Sequence, residues 1–191
     1  LGRWGQIDIL VANAGAYIRS SVKDLTVEDM KRSMTVNFYG VLYAILAVQS
    51  HLLQQGCGHI VLVSSMDAKK GLPLDAPYVA AKSAMAGYGQ VLRQELAPRG
   101  VDVTLVFPGR VDTALIDSLE VPWVSSKISP EAVAEAIVAA IHHKRAEVIV
   151  PFQARLLHLV DAICPRLGDW FVRELRLEGW EKEATGADEA R

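Results

Sequence analysis

Residues 7–15 read IDILVANAG. Six apolar-rich positions, 7–12, end in Asn13-Ala14-Gly15, a turn signal, and are expected to form a short buried strand. The chain opens on Leu1 and enters this strand almost at once, where a free terminus is more often polar and frayed. Three more runs of the same character follow: HIVLVSS at 59–65, VDVTLVFPG at 101–109 and EVIVP at 147–151. All are rich in β-branched residues.

Helical patterns separate these runs. Thr26 and Asp29 form a helix-start box, and apolar residues at helical spacing (Met30, Met34, Phe38, Val41, Ile45) carry the helix to about Gln55, where Gly56 and Gly58 stop it. A second helix spans Tyr78–Ala97 and ends at Gly100. A third opens at Ser129-Pro130-Glu131, with Ser capping and Pro where its missing N–H costs nothing, and runs to about His143. Residues 152–180 form amphipathic helix broken at Pro165, and the polar tail after Trp180 is expected to be loose. The resulting β-α-β-α-β-α-β-α order predicts an α/β fold, a parallel sheet covered by helices on both faces. Ligands of such sheets bind beyond the carboxyl ends of the strands. Asn13, Ser65 and Pro108-Gly109 stand at three of those ends.

The chain has 191 residues, 51% of them hydrophobic, and a net charge of −2. That profile fits one globular domain and disfavours nucleic acid as a partner. Cys57 and Cys164 form no paired motif, which fits a reducing, cytoplasmic setting. No signal peptide and no membrane-spanning run is expected. The five histidines show no metal-ligand spacing, His142-His143-Lys144-Arg145 reads as a basic helix end, and Tyr88 and Lys69-Lys70 show no matching partner.

YVAAK, 78–82, places a phenol and an ammonium on one face of a helix. A lysine charge favours the phenolate and is expected to lower the Tyr78 pKa from about 10, so that Tyr78 can exchange a proton with an alcohol or ketone. Taken alone, the pair is a weak motif and reads more readily as a surface tyrosine and a solvated lysine. Ser65, thirteen residues upstream, can hydrogen-bond the same substrate oxygen, although serines are common at strand ends. Asn37 lies inside an apolar helix, TVNFYG, where asparagine is unfavourable. It is expected either to satisfy a kink beside Gly40 or to hold water in a proton path.

With these pieces in order (ILVANAG, VNFYG, IVLVSS, YVAAK and PGRVDT at 108–113) the sequence resembles the short-chain dehydrogenase/reductase family, single-domain type, over roughly residues 5–150. The resemblance implies a Rossmann-like doubly wound parallel sheet and NAD(P)-dependent hydride transfer between nicotinamide and a carbonyl or secondary alcohol. It implies Tyr78 as general acid/base, Lys82 on the nicotinamide ribose, Ser65 on the substrate oxygen and Asn37 on a water. Asn13, Ala14 and Gly15 would line the cofactor, and Pro108, Gly109, Val111 and Thr113 would pack on the nicotinamide. Ala12 stands where the family usually has a second asparagine. In the family the strand ending at Asn13 is the fourth, and a TGxxxGxG turn on an earlier strand grips the cofactor phosphates. That turn is not in this sequence. The chain is therefore expected to be a fragment lacking the first three strands, to bind cofactor poorly alone, and to carry an exposed apolar edge. The choice between NAD and NADP is not encoded in the residues present.

Two segments are expected: 1–150, the later part of the nucleotide-binding domain, and 151–191, a helical extension with a tail. Between Thr113 and Ser129 a short loop with Leu115, Ile116, Leu119, Val121 and Trp123 suggests an apolar substrate wall, with Trp123 at the substrate. The 152–180 region could cap the pocket, pair with another subunit or lie on a membrane, and its mixed charge favours packing on the protein. The family's helix pairing implies a homodimer or homotetramer. The alternative is a dehydrogenase-like domain kept for binding or regulation, without catalysis. A sugar-nucleotide epimerase ranks lower, because few residues follow Pro108 to build its substrate domain.

Overall fold

The computed structural model describes residues 2–181. The polar tail expected to be loose lies almost wholly outside them. A four-stranded parallel sheet has the order β1 (Ile9–Ala12), β2 (Gly58–Val63), β3 (Val101–Pro108) and β5 (Glu147–Val150). The helices are α1 (Val27–Met34), α2 (Gly40–Gln55), α3 (Ala76–Leu96), α4 (Pro130–His142), α5 (Ala154–Ile163) and α6 (Pro165–Glu174).

Alternation along β2 divides the core. Ile60 and Leu62 pack with Ile45, Met85, Leu105 and Phe107 under α2 and α3. Val61 and Val63 pack with Val106 against Ile137 and Ile141 of α4. The strands are thus apolar on both faces, as burial by helices on each side requires. β1 departs from the expected full burial. Val11 is in register with Val61 on the α4 face, but α4 packs chiefly against β5, β3 and β2, and Ile9 and Val11 stay 46% and 44% exposed.

The first helix begins as its sequence predicts. Thr26 accepts from the Asp29 N–H, and the Asp29 carboxylate accepts from the Thr26 N–H in return. Between α1 and α2 the residues Thr35–Tyr39 form a single π-helical turn. The continuous helical run Val27–Gln55 is long and apolar enough by composition to cross a membrane, contrary to the expectation from sequence. Here Val41, Ile45, Val48 and Leu52 face the core, and Ser33 and Asn37 are buried beside them.

One element pair was not foreseen. Leu119–Glu120 (β4) pairs antiparallel with Trp180–Glu181 (β6), and the Trp180 indole donates to Glu120 at 2.7 Å. Lys69 and Lys70 also find partners. Lys69 lies 2.9 Å from Glu147 and over the Phe107 ring, while Lys70 bonds both Asp161 and Asp169 at 2.6 Å. Tyr88 meets Phe38 edge to face.

The ends of α2 and α3 meet at two glycines. Gly100 has φ +78°, and a Cβ there would sit 2.1 Å from the Gly56 carbonyl oxygen. Gly100→Ala is therefore expected to lower unfolding stability by at least about 1–3 kcal/mol, read as a lower urea midpoint.

Candidate active site

Each site residue is placed by an element end. Asn13, Ala14 and Gly15 follow β1, Ser65 follows β2, Pro108 closes β3, and Tyr78 and Lys82 lie one turn apart at the start of α3. All of these, together with Gly109, Val111, Thr113 and Trp123, line one cavity of about 1310 Å³. The sequence-predicted constellation is thus brought together, with one exception.

Asn37 is fully buried and does not line the cavity. From the π-helical turn its Nδ2 donates to the Ala16 carbonyl at 2.9 Å, and its Oδ1 accepts the Ala16 N–H at 3.0 Å. Nδ2 also reaches Ser33 Oγ at 3.2 Å. Single π turns recur at functional positions, and this one aims an amide at the loop that follows β1. Gly15 lies next to it. A Cβ there would come 2.9 Å from Asn37 Oδ1 and 3.4 Å from Lys82 Nζ.

Lys82 is 3% exposed and its Nζ donates to the Val63 carbonyl at 2.9 Å. Burial pushes its pKa down to about 8, opposed by the charge of Asp67. Nζ lies 5.7 Å from the centre of the Tyr78 ring. The expected lowering of the Tyr78 pKa does not hold for this geometry. Burial, first, and then the charges of Asp67 and Asp75 push it up, while hydrogen bonding with Ser65 pulls the other way. The spacing of YVAAK shows the lysine but not the carboxylates. Ser65 Oγ accepts the Asp67 N–H at 3.1 Å, so the hydroxyl hydrogen remains available to another acceptor.

The carboxylates and their partners were missed in the sequence. Asp67 lines the cavity two residues after Ser65. Burial, then the negative charge of Asp75, push its carboxyl up to about 7, against the charges of Arg110 and Arg19 and the Ser65 hydrogen bond. Asp75 is fully buried, accepting from the Tyr17 hydroxyl at 2.7 Å and Arg19 Nε at 3.0 Å. The Tyr17 ring stands edge-on to Tyr78, with centres 4.9 Å apart and an interplanar angle of 86°. Arg19 also donates to the Glu178 carbonyl at 3.1 Å. The available signal was the charged pattern around the motif, Asp67 after Ser65 and Asp75 before Tyr78. It acquires meaning only once the turns are folded.

The residues fit the nicotinamide half of a dinucleotide. Gly15 is a close-approach glycine whose Cβ would fill the space between Asn37 and Lys82. Gly109 is held by its N–H on the Val150 carbonyl at 2.6 Å, beside the Val111 and Thr113 positions on the same cavity wall. Among the described residues, no glycine-rich strand-to-helix turn borders that cavity.

The model of the family described as short chain dehydrogenase matches residues 1–121. A Drosophila melanogaster protein named dehydrogenase/reductase SDR family protein 7-like is 32% identical over 97% of this chain and 61% of its own length. An uncharacterized Bacillus subtilis oxidoreductase, YxnA, is 33% identical over 92% of this chain and 52% of its own length. The chain therefore spans about half to three fifths of these relatives. Among solved structures, a short chain dehydrogenase from Burkholderia cenocepacia in complex with NADP superposes with a TM-score of 0.78 at 28% identity, covering 91% of this chain and 71% of that one. A match of the family model across well over half the sequence, joined to this shared fold, means that the chain belongs to the short-chain dehydrogenase family.

Proposed function

We propose that the protein of which these residues are part moves a hydride between NAD or NADP and a carbonyl or secondary alcohol, with Tyr78 as the acid/base. The observation that carries this reading is the convergence of Ser65, Tyr78 and Lys82, from different elements, on the floor of one cavity. The nicotinamide cofactor, when bound, supplies the hydride donor or acceptor. NADP in the Burkholderia relative supports the cofactor class. Lys82 would hold the nicotinamide ribose, and Gly109, Val111 and Thr113 the nicotinamide end. Asn13, Ala14 and Gly15 would line the cofactor further along.

Ser65 donates its hydroxyl hydrogen to the substrate oxygen and stabilises charge that develops there. Tyr78, held protonated by burial, gives its phenolic proton to that oxygen in reduction and takes one back in oxidation. The Lys82 ammonium favours the phenolate left behind. Asn37 acts as a positioning residue, bracing Ala16 and hence Gly15 beside Lys82. Trp123 and the neighbouring apolar wall suit an apolar substrate body. The exposed apolar side chains of Tyr39, Tyr43, Leu46 and Val91 suit the helix-to-helix homodimer or tetramer implied by the family. Residues 1–150 would then be the later part of the nucleotide-binding domain and 151–191 a helical extension with a tail.

Two outcomes are expected on protein expressed from the full reading frame. Tyr78→Phe lowers kcat by about 100-fold or more without altering far-UV circular dichroism; unchanged turnover would assign the domain to binding alone. Asp67→Asn removes a charge that raises both the Tyr78 and the Lys82 pKa. Its alkaline limb in the pH–rate profile for alcohol oxidation therefore moves to lower pH. The two profiles converge below about pH 6, where the Asp67 carboxyl, with its pKa near 7, is already neutral.

A further inference from the structure

The cavity continues outward into an apolar mouth. Its deep wall is built from Val133, Ile137, Leu157, Val160, Phe171 and Leu177. The further lining residues open to solvent include Trp123 at 88% exposure, Leu156 at 69%, Leu115 at 47% and Val124 at 40%. The mouth is thus rimmed by the side chains that water solvates worst.

Leu156 belongs to a longer feature. On α5 and the residue pair before it, Phe152, Leu156, Leu159 and Ile163 recur at spacings of four, three and four, which places them on one side of the helix. All four are exposed, from 57% at Leu159 to 85% at Ile163. The adjoining side of the same helix carries Leu157 and Val160 into the cavity and Asp161 onto Lys70. α5 therefore has two apolar sides. One is covered by the protein. The other extends the rim of the mouth outward.

The charges around this outer stripe favour one occupant. Asp161 and Asp169, two of the three acids on α5 and α6, share Lys70, which offsets one of their two charges. Arg155 lies beside Phe152, with its guanidinium 5.1 Å from the ring centre, and Arg166 follows the stripe in the first turn of α6. Both arginines are exposed, and neither has an acidic partner among the described residues. Protruding aliphatic and tryptophan side chains flanked by arginine match the chemistry of an anionic bilayer surface: acyl chains for the stripe, phosphate for the cations.

We propose that the outer face of α5, with the Trp123 rim, rests on an anionic lipid surface and turns the cavity mouth toward the acyl chains. On the catalytic reading given above, on which this part rests, the substrate is then a ketone or secondary alcohol dissolved in the membrane. It would enter sideways from the lipid without crossing water.

Sedimentation with phospholipid vesicles tests the surface without any turnover. The probes are vesicles of phosphatidylcholine alone and vesicles of two thirds phosphatidylcholine and one third phosphatidylglycerol. The wild-type chain is expected to sediment with the second and weakly with the first. A Leu159→Ser, Ile163→Ser double variant, at positions that do not line the cavity, should lose more than about tenfold in partitioning. Arg155→Gln with Arg166→Gln should abolish the preference for anionic vesicles. Melting curves of both variants should stay within a few degrees of wild type. Failure of a folded wild-type chain to bind anionic vesicles overturns the proposal, as does binding that neither variant weakens. Light scattering that shows a dimer broken by the serine variant assigns the face to a second copy, and overturns it too. Tyr78→Phe should bind vesicles as wild type does, so loss of the catalytic reading leaves this result standing. For the active protein, the serine variant should lower kcat/KM at least about fivefold for a long-chain ketone presented in vesicles. It should leave turnover of a short water-soluble ketone unchanged, and equal effects on both ketones would remove the membrane-dissolved substrate.

Discussion

Asn37 closes two hydrogen bonds on the backbone of Ala16 from inside a helix, and the cavity floor takes its shape from that pairing. The amide needs a partner because it is wholly buried, and the loop after β1 needs one because its backbone leaves the sheet. Each satisfies the other. The π turn aims the side chain, Gly15 lets it approach, and the space left over receives the Lys82 ammonium. A helix and the loop that leaves the sheet are thus joined by a polar contact beside Lys82, which itself bonds the Val63 carbonyl of β2. Much of the remaining contact between helices and sheet is apolar packing, which has no directional demand of its own.

Electrostatics at this floor are balanced in layers. Nearest the cavity stand a phenol, a serine and an ammonium, with Asp67 beside them. Behind them, Asp75 is held by Tyr17 and Arg19. A buried carboxylate is tolerated because it receives a charged and a neutral donor at once. Burial of the phenol keeps it protonated, and the charges of Asp67 and, more weakly, Asp75 act in the same direction. Hydrogen bonding with Ser65 opposes them, and burial dominates when the cavity holds only the side chains described.

Much of the architecture could be read from sequence because it rests on local patterns. Runs such as HIVLVSS are β-branched and short, and Thr26 with Asp29 forms its capping box from residues three apart. The places where reading failed depend on distant neighbours. β1 was expected to be buried, yet the helix that covers its face partners does not extend over it. β4 and β6 are two residues each, too short for any periodicity to register. The order of the site motifs exposed Ser65, Tyr78 and Lys82. The sign of the Tyr78 shift is set first by the burial of its ring and then by Asp67 and Asp75, which come close only through turns. Asn37 was noticed as an anomaly in its helix, but the receiving backbone at Ala16 could not be inferred.

Two cations tie α5, α6 and the turn after them to the residues around Tyr78. Lys70, five residues beyond Ser65, holds Asp161 and Asp169; Arg19, which pairs with Asp75, also holds the Glu178 carbonyl. The part of the cavity wall supplied by α5 and α6 and the side chains of Ser65, Tyr78 and Lys82 therefore come from separate stretches of polypeptide, fastened at a few polar points. Sequence drift in the last two helices can reshape the cavity while these three side chains stay as they are. The form of the wall is thereby largely uncoupled from the placing of the polar groups, provided the two fastenings persist.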